Sequence, residues 1–325
     1  MNTADVTIHA SQFPENVRRD LLASLATRRV NHKFHYDSQR QTQKWLALHE
    51  AHSPARTDAD TLGTYDLAFD AVPAQVPAKK IHVLGLGCGG GQKDTRLLQR
   101  LSATGRELSY TPSDVSVAMT LVARQTALTV IPATRCFPFV CDLATADDLP
   151  AILDAREAAG AARLVTFFGM IPNFEPEVIL PKLAALVRPS DFLLFSANLS
   201  PGPDYSSGMR TIFPQYDNAL TRDWLLALLI DLGLERGDGE LRFTIETGAT
   251  GLSRVEAQFH FARACRLVVD AETFPFNAGE TMRLFFSYRY TPALVRSHLA
   301  RHGLRVCAEW VAGSEEEGVF LCRRG

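Results

Sequence analysis

The chain has 325 residues, a formal net charge of −2 and an isoelectric point near 6.5. That balance supplies neither the basic field that holds nucleic acid nor an acidic tail, so no nucleic-acid partner is expected. Its length suggests about two domains, and 46% hydrophobic residues can bury a sizeable core.

The opening stretch, MNTADVTIHASQFPENVRRD, is polar and lacks the apolar segment of a signal peptide. No later run approaches the ~18–20 apolar residues that cross a bilayer, so a cytoplasmic protein without a membrane partner is expected. Residues 1 to about 60 read as helical and irregular. Pro54 interrupts them, and Thr57 or Asp58 caps a helix through ADTLGTYDLAFDAV. A Pro/Ala linker, PAQVPAKK, follows. Then strand KIHVLGLG leads to helix DTRLLQRLSATG, and strand ELSYTPSD to helix VSVAMTLVARQTAL. RCFPFVCDL, RLVTFFGM and DFLLFSANL read as further strands, with helices near DDLPAILDAREA and PEVILPKLAALV between them. This alternation predicts an α/β fold with a parallel sheet covered by helices. It stops at SPGPDYSSG. Residues from about 205 to 286 mix the helix RDWLLALLIDLGLE with alternating runs such as RVEAQFHFARACRLVV. From FFSYRYTP onward a strand, a helix and an antiparallel strand pair close the sheet. The six cysteines, Cys88, Cys136, Cys141, Cys265, Cys307 and Cys322, form no CxxC pair, and no metal site is expected.

Chemistry concentrates in the glycine loop Gly85-Leu-Gly87-Cys-Gly89-Gly-Gly91 between the first sheet strand and its helix. Such a loop brings backbone close to a ligand at a helix N-terminus. A phosphate-binding Walker loop needs Ser or Thr after its lysine, and Lys93 is followed by Asp94. A dinucleotide fingerprint fits Gly85, Gly87 and Gly90, while the G-x-G-x-G loop of S-adenosylmethionine (SAM) enzymes fits Gly87, Gly89 and Gly91. Asp114 ends the second strand and serves the ribose hydroxyls in either nucleotide reading. Asp142 and apolar Leu143 end the third, where they suit an adenine amine and ring; no second nucleotide half follows. The order of these features favours SAM, against the alternative that both aspartates only cap helices.

Over nearly its whole length the chain resembles the SAM-dependent histidine Nα-methyltransferases of ergothioneine biosynthesis. The segments that carry the resemblance are KFHYD, HSPARTD, GLGCGGGQKDTRLL, PSDVS, CDL, FFGMIPNFEP, QYDNA and NAGETMRLFFSYRYTP. The resemblance implies a class I methyltransferase Rossmann-like sheet, residues 59–204 and 287–325, as the SAM-binding domain. It implies a second α+β substrate domain from residues 1–58 and 205–286. Gly87, Lys93, Asp114, Asp142 and Leu143 are then expected to contact SAM. Asn173 and Tyr216 are expected to grip the amino acid's α-amino and carboxylate end, and Tyr36 matches the tyrosine of the family's N-terminal motif.

Two departures bear on the substrate. Where the family has a tyrosine before P-x-R-T, this chain has His52-Ser53-Pro54. Where the family has a glutamate that holds the imidazole, it has Phe285, with Ser287 kept two residues on. A hydrogen bond to a charged group contributes about 1.5–3 kcal/mol, so histidine loses roughly 10- to 100-fold in affinity without it. A monomeric methyltransferase acting on the α-amine of a free, apolar amino acid is therefore expected, with His52, Asn173, Tyr216, Phe285 and Ser287 at the substrate. S-methylation of methionine is the alternative within the same fold. A catalytically silent SAM or amino-acid binding module is the alternative of another class, and a nicotinamide oxidoreductase a distant third.

Overall fold

A computed structural model describes residues 3–36, 38–52, 58–155 and 160–325. The interruption expected at Pro54 and the cap at Thr57 lie outside them. The chain begins with β1 (Thr7–Ile8), α1 (Pro14–Thr27), α2 (Gln39–His52) and α3 (Ala59–Gln75). An alternating stretch follows: β2 (Lys80–Leu86), α4 (Gln92–Ser102), β3 (Glu107–Asp114), α5 (Val117–Ala127), β4 (Phe139–Val140), α6 (Leu149–Asp154), β5 (Ala162–Phe167), α7 (Pro176–Leu186) and β6 (Phe192–Asn198). Next come α8 (Tyr205–Ile212), α9 (Ala219–Asp231), β7 (Gly239–Thr247), β8 (Ser253–Phe261), β9 (Cys265–Val269), β10 (Glu272–Phe276) and β11 (Thr281–Arg289). The last elements are α10 (Pro292–Arg301), β12 (Leu304–Val311) and β13 (Glu317–Arg324).

These elements divide into two units, one of residues up to Phe13, Ala59–Leu199 and Tyr290–Gly325, the other of Pro14–Asp58 and Ser200–Arg289. The divisions fall near those expected, except that the first residues join the sheet unit. The reason is β1, which pairs in parallel with β4 beyond the reach of any periodicity signal.

In the first unit one eight-stranded sheet runs β1-β4-β3-β2-β5-β6-β13-β12. Its central strands are parallel, and β13 is antiparallel to both β6 and β12. Six of the seven β2 residues and all of β5 are buried, as strands covered on both faces should be. Ser116 caps α5 by accepting the Met119 N–H, and Thr291 caps α10 through Leu294. Two expectations change. The strand RCFPFVCDL shrinks to β4, because Pro138 has no N–H for the ladder. The start of the Pro/Ala linker is instead the end of α3, where the Pro73 carbonyl accepts Arg106 Nη2 at 2.5 Å.

The second unit holds a three-stranded antiparallel sheet, β11-β8-β7, and a hairpin of β9 and β10. Val255, Ala257, Phe259 and Phe261 alternate along the buried face of β8. Phe34, Trp224, Leu225, Leu228 and Met282 join that core. All six cysteines are free thiols. Among the described residues no helix is long and apolar enough to cross a membrane, and no group of three His, Cys, Asp or Glu stands ready for a metal.

Candidate active site

Strand order in the first unit reverses at β2: β3 and β4 lie on one side of it, β5 and β6 on the other. Ligands of open α/β sheets bind beyond the carboxyl ends of the strands at such a reversal. The glycine loop leaves β2 there. Gly87 has φ +59°, and a Cβ on it would lie 2.6 Å from Met170 Cγ in the loop after β5. Gly91 precedes α4 at φ +74°, and its Cβ would lie 2.8 Å from the Ala123 Cα of α5. Only glycine meets both demands, left-handed backbone and no room for a side chain. Gly89 is left-handed as well.

Asp114 Oδ2 accepts the Gly89 N–H at 3.0 Å, and Oδ1 accepts that of Ser116 at 3.0 Å. Burial raises its pKa, against the hydrogen bonds from the Ser116, Gly89 and Val115 amides. A carboxylate offers about four acceptor sites, so three amides leave capacity for a ligand hydroxyl. Asp142 is buried, its Oδ1 accepting Ala144 N–H at 2.9 Å and its own N–H donating to Ser11 Oγ at 2.9 Å. Leu143 beside it is 7% exposed. The aspartates thus do shape their local turns, while standing at the ends of adjacent strands: the Cys141 N–H bonds the Asp114 carbonyl at 3.0 Å. Asn173 ends a short 3-10 turn, Ile171–Asn173, in the loop that carries Met170, and is half-buried.

Lys93, in the first turn of α4, donates from Nζ to the Tyr65 hydroxyl at 2.7 Å and lies 4.2 Å from that ring's centroid. The Tyr65 hydroxyl donates in turn to Glu317. Burial and the Glu317 charge push the Tyr65 phenol well above its usual pKa. Gly85 is explained by packing: a Cβ there would lie 2.2 Å from Asp94 Oδ2. Buried Asp94 accepts the Tyr110 hydroxyl at 2.6 Å and the Thr166 hydroxyl at 2.7 Å, fastening α4 to β3 and β5.

The second unit gathers an aromatic cup. Along β11 the register jumps from Arg283 opposite Gln258 to Phe285 opposite Ala257, so Leu284 is an extra, bulged residue. The bulge buries Leu284 and Phe285 in succession. His35 Nε2 lies 2.7 Å from the Leu284 carbonyl, which only accepts, so Nε2 carries the proton. Burial lowers the His35 pKa to about 4, despite that hydrogen bond. His32 Nε2 accepts the Phe286 N–H at 3.4 Å, and burial holds its pKa well below the usual value, with His35 and Arg283 adding to the effect. Around Phe285, 8% exposed, stand His32 at 5.1 Å, Trp224 at 5.8 Å and Tyr216 at 6.4 Å between centroids. Tyr36 packs on Trp224 at 5.7 Å. The Tyr216 hydroxyl pairs with Ser287 Oγ at 2.9 Å and accepts Arg289 Nε at 3.0 Å. Of the residues expected at the substrate, Tyr216, Phe285 and Ser287 come together here, with Tyr36 of the N-terminal motif beside Trp224. His52 is the exposed last residue of α2, and Ser53 and Pro54 lie outside the described residues.

A family model described as histidine-specific, SAM-dependent methyltransferase matches residues 16–324. The chain belongs to that family. No curated protein matches it. Solved structures similar to it include the CcbJ methyltransferase of Streptomyces caelestis, 13% identical over 80% of this chain and 96% of that one, with a TM-score of 0.40. The 1,6-didemethyltoxoflavin-N1-methyltransferase of Burkholderia thailandensis, with S-adenosylhomocysteine bound, is 12% identical over 87% and 86%, at 0.44. The mitomycin 7-O-methyltransferase MmcR is 16% identical over 97% and 70%, at 0.41.

This SAM-dependent methyltransferase carries a donor set that fits its cofactor. The backbone at Gly87 is bare where a Cβ would strike Met170, Asp114 keeps an acceptor site, and Leu143 offers an apolar contact beside Asp142. Sequence reading missed Tyr65, Glu317 and Asp94 in this unit, and His32, His35, Trp224 and Arg289 in the other. Arg289 had a signal, since it lies two residues beyond Ser287 on the same strand face. Glu317 had none, sitting in the charge run EEE that reads as solvated surface.

Proposed function

We propose that this methyltransferase acts on the α-amine of a free amino acid other than histidine, one with an apolar side chain. The observation that carries the proposal is Phe285, buried among Trp224, His32 and Tyr216 at the position where family resemblance expects a glutamate. An imidazole there meets a ring in place of a carboxylate, at a loss of about 1.5–3 kcal/mol. His32 and His35 are neutral at pH 7 and add no anion. Arg289 presents a guanidinium beside Tyr216 and Ser287, a chemistry suited to an α-carboxylate. Asn173 is proposed, on the resemblance, to hold the amino acid's polar end.

When bound, S-adenosylmethionine supplies a methyl group already activated on a sulfonium. The protein's task is then to orient the acceptor and exclude water. An α-amine must lose its proton to present a lone pair, and the Tyr216 hydroxyl, hydrogen-bonded with Ser287 and Arg289, is proposed to relay that proton to solvent. The rings of Phe285, Trp224 and Tyr216 also suit a methionine thioether, whose sulfonium product would lie against their faces. We further propose that the enzyme is monomeric and cytoplasmic, the first of which light scattering checks.

The test incubates the enzyme and SAM with each free amino acid, reading S-adenosylhomocysteine release and product mass. An apolar amino acid is expected to lead, with histidine poor. Two or three added methyls identify nitrogen; a single permanent charge with one methyl identifies sulfur. No release with any amino acid or small amine would sink the proposal in favour of a silent binding module.

A further inference from the structure

Glu317 opens β13 opposite Asn198, the last residue of β6, so it stands at the edge where the parallel strands end. Its side chain is 10% exposed. Oε1 takes the Tyr65 hydroxyl, with Lys93 Nζ at 3.9 Å, beyond hydrogen-bond reach. Oε2 has no hydrogen-bond partner among the described residues. That oxygen is not fully enclosed and has spare acceptor capacity for a donor that arrives from elsewhere.

The surroundings connect this carboxylate to the glycine turn. Ser196 bonds the Tyr65 hydroxyl and accepts the Gly169 N–H at 2.9 Å. Gly169 precedes Met170, whose side chain meets Gly87. Lys93 comes from the first turn of the helix after the glycine loop. A cation and an anion are thus held apart by one buried phenol, next to the turn that takes the cofactor. The cofactor's amino-acid end carries the complementary pair, an α-carboxylate and an α-ammonium.

We infer that Glu317 recognises the ammonium at the cofactor's amino-acid end, beside Lys93, which family resemblance already places at SAM. Tyr65 is a positioning residue that sets their spacing. The inference rests on SAM being the cofactor and goes beyond it in naming what reads the amino-acid end. A mere counter-ion role for Glu317 would not require its second oxygen to stay unpartnered.

Calorimetry tests this with three ligands: S-adenosylhomocysteine, its deaminated analogue, and 5′-methylthioadenosine, which lacks the amino-acid end. The wild type is expected to bind S-adenosylhomocysteine about 10- to 100-fold more tightly than the deaminated analogue. Glu317→Gln should erase most of that difference and leave methylthioadenosine affinity unchanged. Tyr65→Phe should narrow it several-fold, again without touching methylthioadenosine. Equal wild-type affinity for the first two ligands overturns the inference, whether or not the variants fold. So does a Glu317→Gln protein that loses methylthioadenosine as much as S-adenosylhomocysteine. Failure of the wild type to bind S-adenosylhomocysteine at all overturns it together with the cofactor assignment.

Discussion

The glycine turn of the sheet unit is one continuous stretch, Leu86 to Gln92, whereas the aromatic cup of the other unit draws Tyr36, Tyr216, Trp224 and Phe285 from three separated stretches of the chain. In the turn, backbone conformation and close approach dictate the residue: Gly87 and Gly91 are left-handed and have no room for a Cβ. In the cup, side chains rather than backbone form the surface, with Phe285 following the bulged Leu284 on β11. The two regions thus answer to different constraints, one of backbone and one of side chain.

The sharpest break of that contrast is Gly91→Val. Left-handed strain and a collision with the Ala123 backbone should together cost about 2–5 kcal/mol, read as lost thermal stability and lost S-adenosylhomocysteine binding. Normal binding by this variant would contradict a steric role for the turn. Phe285→Glu acts on the other side. It should shift preference toward histidine by about 10- to 100-fold, measured as the ratio of kcat/KM for histidine over an apolar amino acid. An unchanged ratio would count against the pocket argument.

His35 supplies a pH handle on the cup. Its folded-state pKa of about 4 lies below the unfolded value of 6.5, so its contribution to stability is complete above pH 6.5 and is lost as pH falls toward 4. Between pH 7.5 and pH 5 that loss is about 2 kcal/mol. Urea midpoints at the two pH values should show it in the wild type and show much less of it in His35→Gln. Asn173→Ala should weaken amino-acid binding about 10-fold with S-adenosylhomocysteine affinity intact, by titration of each ligand. Smallest is Tyr216→Phe, which removes a hydroxyl shared by Ser287 and Arg289. About 1 kcal/mol of amino-acid affinity should go with it, again by titration and with the donor end unaffected.

Legibility followed the same division. The strand-glycine-helix order around β2, the aspartates closing β3 and β4, and the antiparallel ending at β12 and β13 were all readable, because each is local in sequence. β1 was not, since two residues that pair with β4 leave no periodicity to detect. Lys93 was expected at SAM through family resemblance alone, and its partners Tyr65 and Glu317, from a helix and a strand far off in sequence, were not expected. Family resemblance singled out Tyr36, Tyr216, Phe285 and Ser287, which the structure gathers in one cup, but gave no sign of His35. Its part depends on a carbonyl freed by a bulge, and no spacing rule announces a bulge at Leu284.

The most direct test of the account is equilibrium binding of free amino acids to the wild-type enzyme saturated with S-adenosylhomocysteine. An apolar amino acid such as leucine, methionine or phenylalanine is expected to bind at least about 10-fold more tightly than histidine. Histidine binding most tightly of all would contradict the proposal that Phe285 turns the pocket away from histidine.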